Sequence, residues 1–441
     1  MPNRPLKSED CMSLQNHVTT KNVNQERDVN LMQSWIIWAM AALFYLYEYV
    51  LRVSPSVMTE GLTQSFGVTS TELGVLSSFY YYAYTILQVP CGVIVDKWGP
   101  RRVITFSSIL CTVGSFQFAL SDTLLSAQIG RFLIGAGSAC AFLSTLKVAA
   151  DWFSVRYFVV AAGLTSMMGV LGGVFGARPF AILVNNVGWR SAMIYAAIFG
   201  IFVTVLVWFV IKDKKSNVTD LATVSSSSLT HGLKVIMKNP QSWLIAFYGC
   251  LMYLPISVFA ELWGVPYLMQ TFNVTNEVAA TASIMIFLGM ALGGPTAAWV
   301  SNKIQSRYRV MLYSALGSLT FFAGVMFLPS LSLEMIFGML FFVGICKGGQ
   351  ILCFTCVKEI NPSHISGTTI GFTNTVVMLS GVIFQPLLGM ILDSVWSGNL
   401  SLSGIRIYTA DDYFWAMLSI PIALSVNLVL IKFIKESYPK A

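Results

Sequence analysis

The sequence predicts an all-α membrane protein of twelve transmembrane helices in two six-helix halves, and three observations predict it. Charged residues make up only 11% of the 441 positions and hydrophobic residues 55%, with a mean hydropathy of +0.69; a soluble domain carries roughly 25% charged residues. Apolar runs of about 20 residues, the length a helix needs to cross a bilayer, recur between Gly, Pro or charge clusters. They are too long for barrel strands, so each span must satisfy its backbone within a helix. Finally, of the 27 lysines and arginines, only Arg190 and Arg406 fall in loops on one side. Arg52, Arg131, Lys147, Arg178 and Lys347 lie inside spans, and the remainder fall in the tails and loops of the other side. That asymmetry places both termini in the cytoplasm. It also accounts for the net charge of +7 without a nucleic-acid partner.

Four segments follow: a polar tail over 1–32, a first bundle over 33–211, a linker over 212–241, and a second bundle with a short tail over 242–441. The tail has mixed charge and no apolar periodicity, which predicts disorder. Because the first apolar run is not followed by a polar mature start, it reads as an uncleaved span. The eight cysteines are scattered and predict neither a disulfide framework nor a zinc site. Cys353 and Cys356 form a C-x-x-C on a helix, which reads as packing because two thiols alone do not complete a metal site.

Span 1, about Gln33 to Ser56, contains Tyr45-Leu-Tyr-Glu-Tyr-Val-Leu-Arg52. An ionisable residue inside a span is costly and usually faces protein or a wet pathway. Tyr45, Glu48 and Arg52 follow i, i+3, i+7 spacing on one face, with Glu48 roughly 20 Å along the helix and Arg52 roughly 26 Å. They are the first candidates for substrate binding or coupling; an internal ion pair with Arg52 reaching toward the outer surface is the structural alternative. Span 2, about Thr71 to Val95, repeats the spacing with Tyr81, Tyr84 and Gln88, and Pro90 is expected to kink its inner end.

The loop after span 2 reads Gly92-Val-Ile-Val-Asp96-Lys97-Trp-Gly99-Pro-Arg101-Arg102. Gly92 permits close helix approach, Asp96 sits where it can accept backbone or Arg hydrogen bonds, and Gly99-Pro100 makes a tight turn. The basic residues suit an anionic inner leaflet. This stretch resembles the loop 2/3 motif of the major facilitator superfamily, G-x-x-x-D-[RK]-x-G-x-[RK]-[RK]. The resemblance implies a conformational latch formed by Gly92, Asp96, Gly99, Arg101 and Arg102. In span 4, Arg131-Phe-Leu-Ile-Gly135-Ala-Gly137 looks like the same family's R-x-x-x-G-x-G signature, with glycines for close packing and Arg131 directed at the cavity or at a structural carboxylate. Lys147 is expected to snorkel at the inner surface.

Span 5 ends in Ala-Arg178-Pro179, where Arg178 is a gate candidate; its glycines do not match the antiporter spacing. Span 7 is interrupted by Pro255 and ends in Glu261-Leu-Trp263-Gly264-Val-Pro266. Glu261 is a candidate for proton uptake or amine recognition, against an interfacial, solvated carboxylate. Span 10 holds Gly344-Ile-Cys-Lys347-Gly348-Gly349-Gln350, which puts Lys347 roughly 18 Å deep, near the midplane. Span 11 adds Asn374 and a kink at Gln385-Pro386. Lys97 and Arg101 recur as Lys303 and Arg307, with Asn302 at the place of Asp96. Such a repeat is the trace of parallel halves, and the degenerate second copy predicts a stronger latch in the first half.

No nucleophile elbow, nucleotide-binding loop or metal spacing is present, so neither enzymatic activity nor a cofactor is expected. Opposed charges suit a zwitterion, and the sequence predicts proton-coupled transport of an amino acid or short peptide by alternating access. A carboxylate-bearing siderophore or organic anion is the alternative, and a non-transporting receptor or assembly subunit the alternative of another class. Short stretches, among them Tyr47-Glu48, Trp152-Phe153 and Gly188-Trp189-Arg190, resemble the phagosomal amino-acid and nucleoside transporter branch. The arrangement is also similar to the lysosomal dipeptide transporter branch. The expected setting is a bacterial inner membrane, the expected partners a small solute, protons and lipid, and the expected state monomeric.

Overall fold

The computed structural model describes residues 31–213, 226–328, 331–362, 365–402 and 404–438. The expected N-terminal tail up to residue 30 and part of the linker, including Lys214, Lys215 and Ser225, lie outside the described residues. The spans are α1 (Leu31–Val53), α2 (Ser70–Trp98), α3 (Pro100–Ala119), α4 (Leu124–Ser138, continued by Ala141–Trp152), α5 (Val155–Gly176) and α6 (Arg178–Val210). A linker helix, Ser226–Lys238, precedes α7 (Pro240–Leu254, continued by Pro255–Trp263 and Gly264–Phe272), α8 (Asn276–Lys303) and α9 (Arg307–Phe327). The chain ends with α10 (Leu333–Lys347, continued by Gly348–Ile351 and Leu352–Glu359), α11 (Ser366–Ser394) and α12 (Ala410–Met417, continued by Ser419–Ile431).

Among the described residues, ten helical stretches have the length and apolarity to cross a membrane; one of them, Arg156–Val210, runs through both α5 and α6 and turns back within α6 at Gly188, where φ is 79°. α2 is long enough at 29 residues, but its tyrosines and polar residues dilute its apolarity. Together these make the twelve spans of an all-helical membrane fold.

Apolar side chains gain little by leaving lipid for protein, so helices in a bilayer associate through close packing. Gly135 of α4 abuts the backbone of Tyr80 in α2, and Gly344 of α10 abuts the backbone of Ile286 in α8, so the equivalent helix pairs of the two halves pack alike. Where the halves meet, α2 runs along α11. At the end remote from the termini the two are in backbone contact, Gly74 against Gln385 and Pro386 and Gly389 against Ser70. Toward the termini they part: a Cβ on Gly371 would come no closer than 3.9 Å to Val89, and Gly92 and Gly367 face open space. α2 and α11 are therefore in backbone contact at one end, while at Gly92 and Gly367 toward the other there is room for a side chain.

Several expectations change. Span 4 breaks at Ala139–Cys140, where Cys140 forms a disulfide with Cys91 of α2, so the cysteines do hold one cross-link. The close approach expected at Gly92 is absent from this arrangement of the halves. Asp96 pairs with Lys147 at 3.3 Å, so Lys147 is an ion-pair partner as well as a residue near the surface. Arg101 stacks on Trp208 and donates to its carbonyl at 2.9 Å, its own N–H donating to Asp213. Gly99 turns the chain with φ at 81°, and Arg102 is exposed.

In this arrangement the second copy of the loop carries more hydrogen bonds than the first. Arg307 donates to Glu359 at 3.0 Å and Asn302 at 2.8 Å, and its backbone N–H donates to Glu436. Glu436 thus occupies in the second half the place Asp213 has in the first.

Candidate functional site

α1 brings Glu48 and Arg52 one turn apart, and one guanidinium nitrogen spans both carboxylate oxygens at 3.2 and 3.3 Å. Tyr80 of α2 closes the triangle, accepting from Arg52 Nε at 2.7 Å and donating to Glu48 at 3.1 Å. The rings of Tyr49, Tyr84 and Tyr80 lie 4.5, 5.0 and 5.2 Å from the Arg52 guanidinium, an aromatic cage that stabilises a desolvated cation. Arg52 therefore does not reach toward the surface; it is 4% exposed and held from every side.

Arg131 enters from α4 at a gap left by Pro55, two residues past the end of α1. Proline has no N–H, so the carbonyl of Leu51 has no helical donor four residues on. Arg131 Nη1 donates to it at 2.8 Å, with the Ser54 hydroxyl adding a bond at 3.1 Å. The Arg131 guanidinium also lies 5.2 Å from the Tyr80 ring, and its Nε has no partner.

The second half contributes Glu261 and Lys347. Pro255 opens a π-helical stretch in α7, a wide turn of the kind frequent at functional sites, and this stretch carries Glu261. Its Oε2 accepts from the Tyr81 hydroxyl across the junction of the halves, while Oε1 has no partner. Lys347 ends the first segment of α10, where the helix tightens into a 3₁₀ turn over Gly348–Ile351. Its ammonium lies 3.0 Å from the Met290 sulfur and 4.8 Å from the Tyr253 ring; no carboxylate stands within ion-pair distance among the described residues.

Lipid-facing side chains such as Phe209 are exposed in the bare protein, at 73%. Glu48, Arg131 and Glu261 are at most 1% exposed and Lys347 6%, so the charged side chains face protein. Glu261 is accordingly not the solvated carboxylate of the alternative reading. Gln88 is buried beside the cluster with an unpartnered Oε1, and Asn374 of α11 reaches Tyr84. Tyr45 stands apart from the ion pair, packed on Phe142 and Tyr49. Arg178 does not join: it is exposed at the break after α5. The sequence does not single out Tyr80 and Tyr253. Tyr80 carries a signal, standing one turn before Tyr84, whereas Tyr253 has none beyond its proximity to Pro255.

The family model described as Major Facilitator Superfamily matches residues 30–436. The probable sulfoacetate transporter SauU of Cupriavidus necator is 29% identical over 187 residues, less than half of either chain (42% and 44%). The membrane sensor protein UhpC of Escherichia coli is 23% identical over 92% of each chain. The probable galactarate/D-glucarate transporter GudP of Bacillus subtilis is 23% identical over 87% of this chain and 90% of its own. Among solved structures, a bacterial homologue of the human lysosomal transporter Spinster, inward-facing and occupied, superposes with a TM-score of 0.73 at 15% identity, covering 90% of this chain and 96% of that one.

Proposed function

This chain belongs to the major facilitator superfamily, a family of multi-pass secondary transporters rather than enzymes, and from that premise we propose that it carries a small organic anion bearing carboxylate or sulfonate groups. The observation that carries this reading is Lys347, a buried cation with no carboxylate within ion-pair distance among the described residues. Three cations, Arg52, Arg131 and Lys347, stand against two carboxylates, and Glu48 is already taken by its own arginine. A ligand anion between Lys347 and the free Nε of Arg131 balances the cluster through charge-assisted bonds, and Gln88 and Asn374 offer partners to ligand hydroxyls. The sulfoacetate and galactarate/D-glucarate of the named relatives belong to this chemical class, which favours it over the amino acid or peptide expected from sequence.

Glu48 is our candidate for proton coupling. A proton on it removes the charge that holds Arg52, and the released guanidinium is free to turn toward an anion or to let α1 and α2 move. The lysine and arginine asymmetry supports cytoplasmic termini, and the bacterial relatives favour a bacterial inner membrane.

Uptake into proteoliposomes tests the reading. Sulfoacetate or D-glucarate should accumulate when an inward proton gradient is imposed, and Lys347→Gln should reduce binding at least about tenfold, the loss of one charge-assisted contact. Uptake of amino acids or dipeptides in place of these anions would refute the substrate class. Similarity to a membrane sensor along 92% of the chain favours a second reading, a receptor that keeps the fold. Tight anion binding without flux is its signature.

A further inference from the structure

We propose that Asp393, at the last turn of α11, is the residue that holds the transporter shut at the end remote from its termini. α2 begins with Thr69 as N-cap, whose hydroxyl takes the N–H of Glu72. The N–H groups of Ser70 and Thr71 still lack helical acceptors. Both are supplied by the opposite half: Ser70 N–H donates to Asp393 Oδ1 at 3.2 Å and Thr71 N–H to Oδ2 at 2.8 Å. The Thr71 hydroxyl adds a third bond across the junction, 2.5 Å to Oδ2. A carboxylate bonded to the first N–H groups of a helix also meets the positive end of its dipole, which strengthens the contact.

The remaining donors to Asp393 come from its own half. The Tyr408 hydroxyl donates to Oδ1, and Arg406 donates to the same oxygen at 3.1 Å while stacking 4.6 Å over Trp396. When the halves part at this end, Asp393 keeps Arg406 and Tyr408, and α2 exchanges its carboxylate cap for water. Neither state strands a buried charge, which is what a reversible latch requires. Ser70, Arg406 and Tyr408 also line a cavity of about 320 Å³ between the halves, with Trp263 and Glu60 on its other walls, so the latch borders open volume. None of these residues belongs to the central cluster. The inference takes from the transport reading only that the halves rock, and its primary test measures no flux.

Spin labels at Gln64→Cys in the first half and Leu402→Cys in the second, in a background lacking Cys11 and Cys346, report the separation of the halves in nanodiscs. The wild type should show a short-distance population. Asp393→Ala should add a longer one, raising the ratio of open to closed at least about tenfold, the change expected for losing one charge-assisted bond. Thr71→Val combined with Tyr408→Phe leaves the carboxylate in place and should shift the ratio the same way, and it serves if Asp393→Ala does not fold. An unchanged distance distribution in a folded variant, even one with a lower unfolding temperature, would overturn the proposal. Failure of organic-anion uptake with the distance shift intact would count against the substrate and not against the latch.

Discussion

Arg52 is held by a carboxylate, a tyrosine hydroxyl and three aromatic faces at once, so its neighbours are not interchangeable. Removing one partner of a buried ion pair leaves the other uncompensated and costs about 3–5 kcal/mol. Arg52→Ala should therefore lower the unfolding temperature sharply, whereas Tyr80→Phe, which deletes only the bridging hydroxyl, should cost about 1–3 kcal/mol; thermal unfolding in detergent ranks the two. Glu48→Gln keeps the shape and removes the charge. If Glu48 couples protons, this variant should lose gradient-driven accumulation and keep solute exchange, and unaltered accumulation would take Glu48 out of that role. At this scale the sequence was informative about the pair, since a four-residue spacing puts both groups on one face. It was less so about their partners. Tyr80 and Tyr81 are adjacent, about 100° apart around the helix, and one turns to Arg52 while the other crosses to Glu261. Only the packing of α1 and α7 around α2 decides which does which. Arg178 shows the reverse error: a cation inside a predicted span that the end of α5 leaves outside the cluster.

Three of the helices that carry the site are interrupted near it: α4 at Ala139–Cys140, α7 by a π-helical stretch and α10 by a 3₁₀ turn. Pro255 and the Gly348-Gly349 pair announced the last two, because one removes a donor and the others release the backbone. The break in α4 has no such mark, since neither Ala139 nor Cys140 is a helix breaker; it comes with the link between Cys140 and Cys91, which scattered cysteines did not foretell. The degenerate second loop hides its bonding for a related reason. The loop has no carboxylate at Asn302 but gains one from far along the chain, where Glu436, the counterpart of Asp213, caps α9 through the N–H groups of Arg307 and Tyr308 and accepts from the Ser306 hydroxyl at 2.5 Å. Burial pushes the Glu436 carboxyl up, but the bonds from Ser306 and from the N–H groups of Tyr438, Arg307 and Tyr308 outweigh it and leave its pKa below the ordinary value. With its folded pKa lowered, the stability it lends is present above the ordinary carboxylate value of about 4.3 and is lost as pH falls through the lowered one. Glu436→Gln should reproduce that loss at neutral pH. Hydrogen exchange read at the Arg307 and Tyr308 amides should speed up in the variant while the α2 amides stay unchanged.

Across the whole molecule, the placement of small residues on α2 and α11 determines which end can close. Gly74 and Gly389 sit where the halves touch, and a Cβ on Gly74 would stand 2.5 Å from the carbonyl of Gln385 and 2.9 Å from the Cα of Pro386. Backbone on both sides leaves nothing to give way, so a side chain there has to push the halves apart. Gly92 and Gly367, toward the termini, meet nothing within 4 Å, and in this arrangement a side chain at either is accommodated. In the proposed alternating-access cycle, rocking about the central cluster would exchange these situations, with the termini end drawing together as the other opens. Gly74→Leu should therefore favour the state open away from the termini, and Gly92→Leu should favour the state described here, the two pushing one equilibrium in opposite directions. The Gln64–Leu402 label pair reads both: the long-distance population should grow in Gly74→Leu and shrink in Gly92→Leu relative to wild type. The same direction of change in both variants would mean that α2 and α11 do not form the closing surfaces at the two ends, and would leave the role of Gly92 in the loop motif without its proposed physical basis.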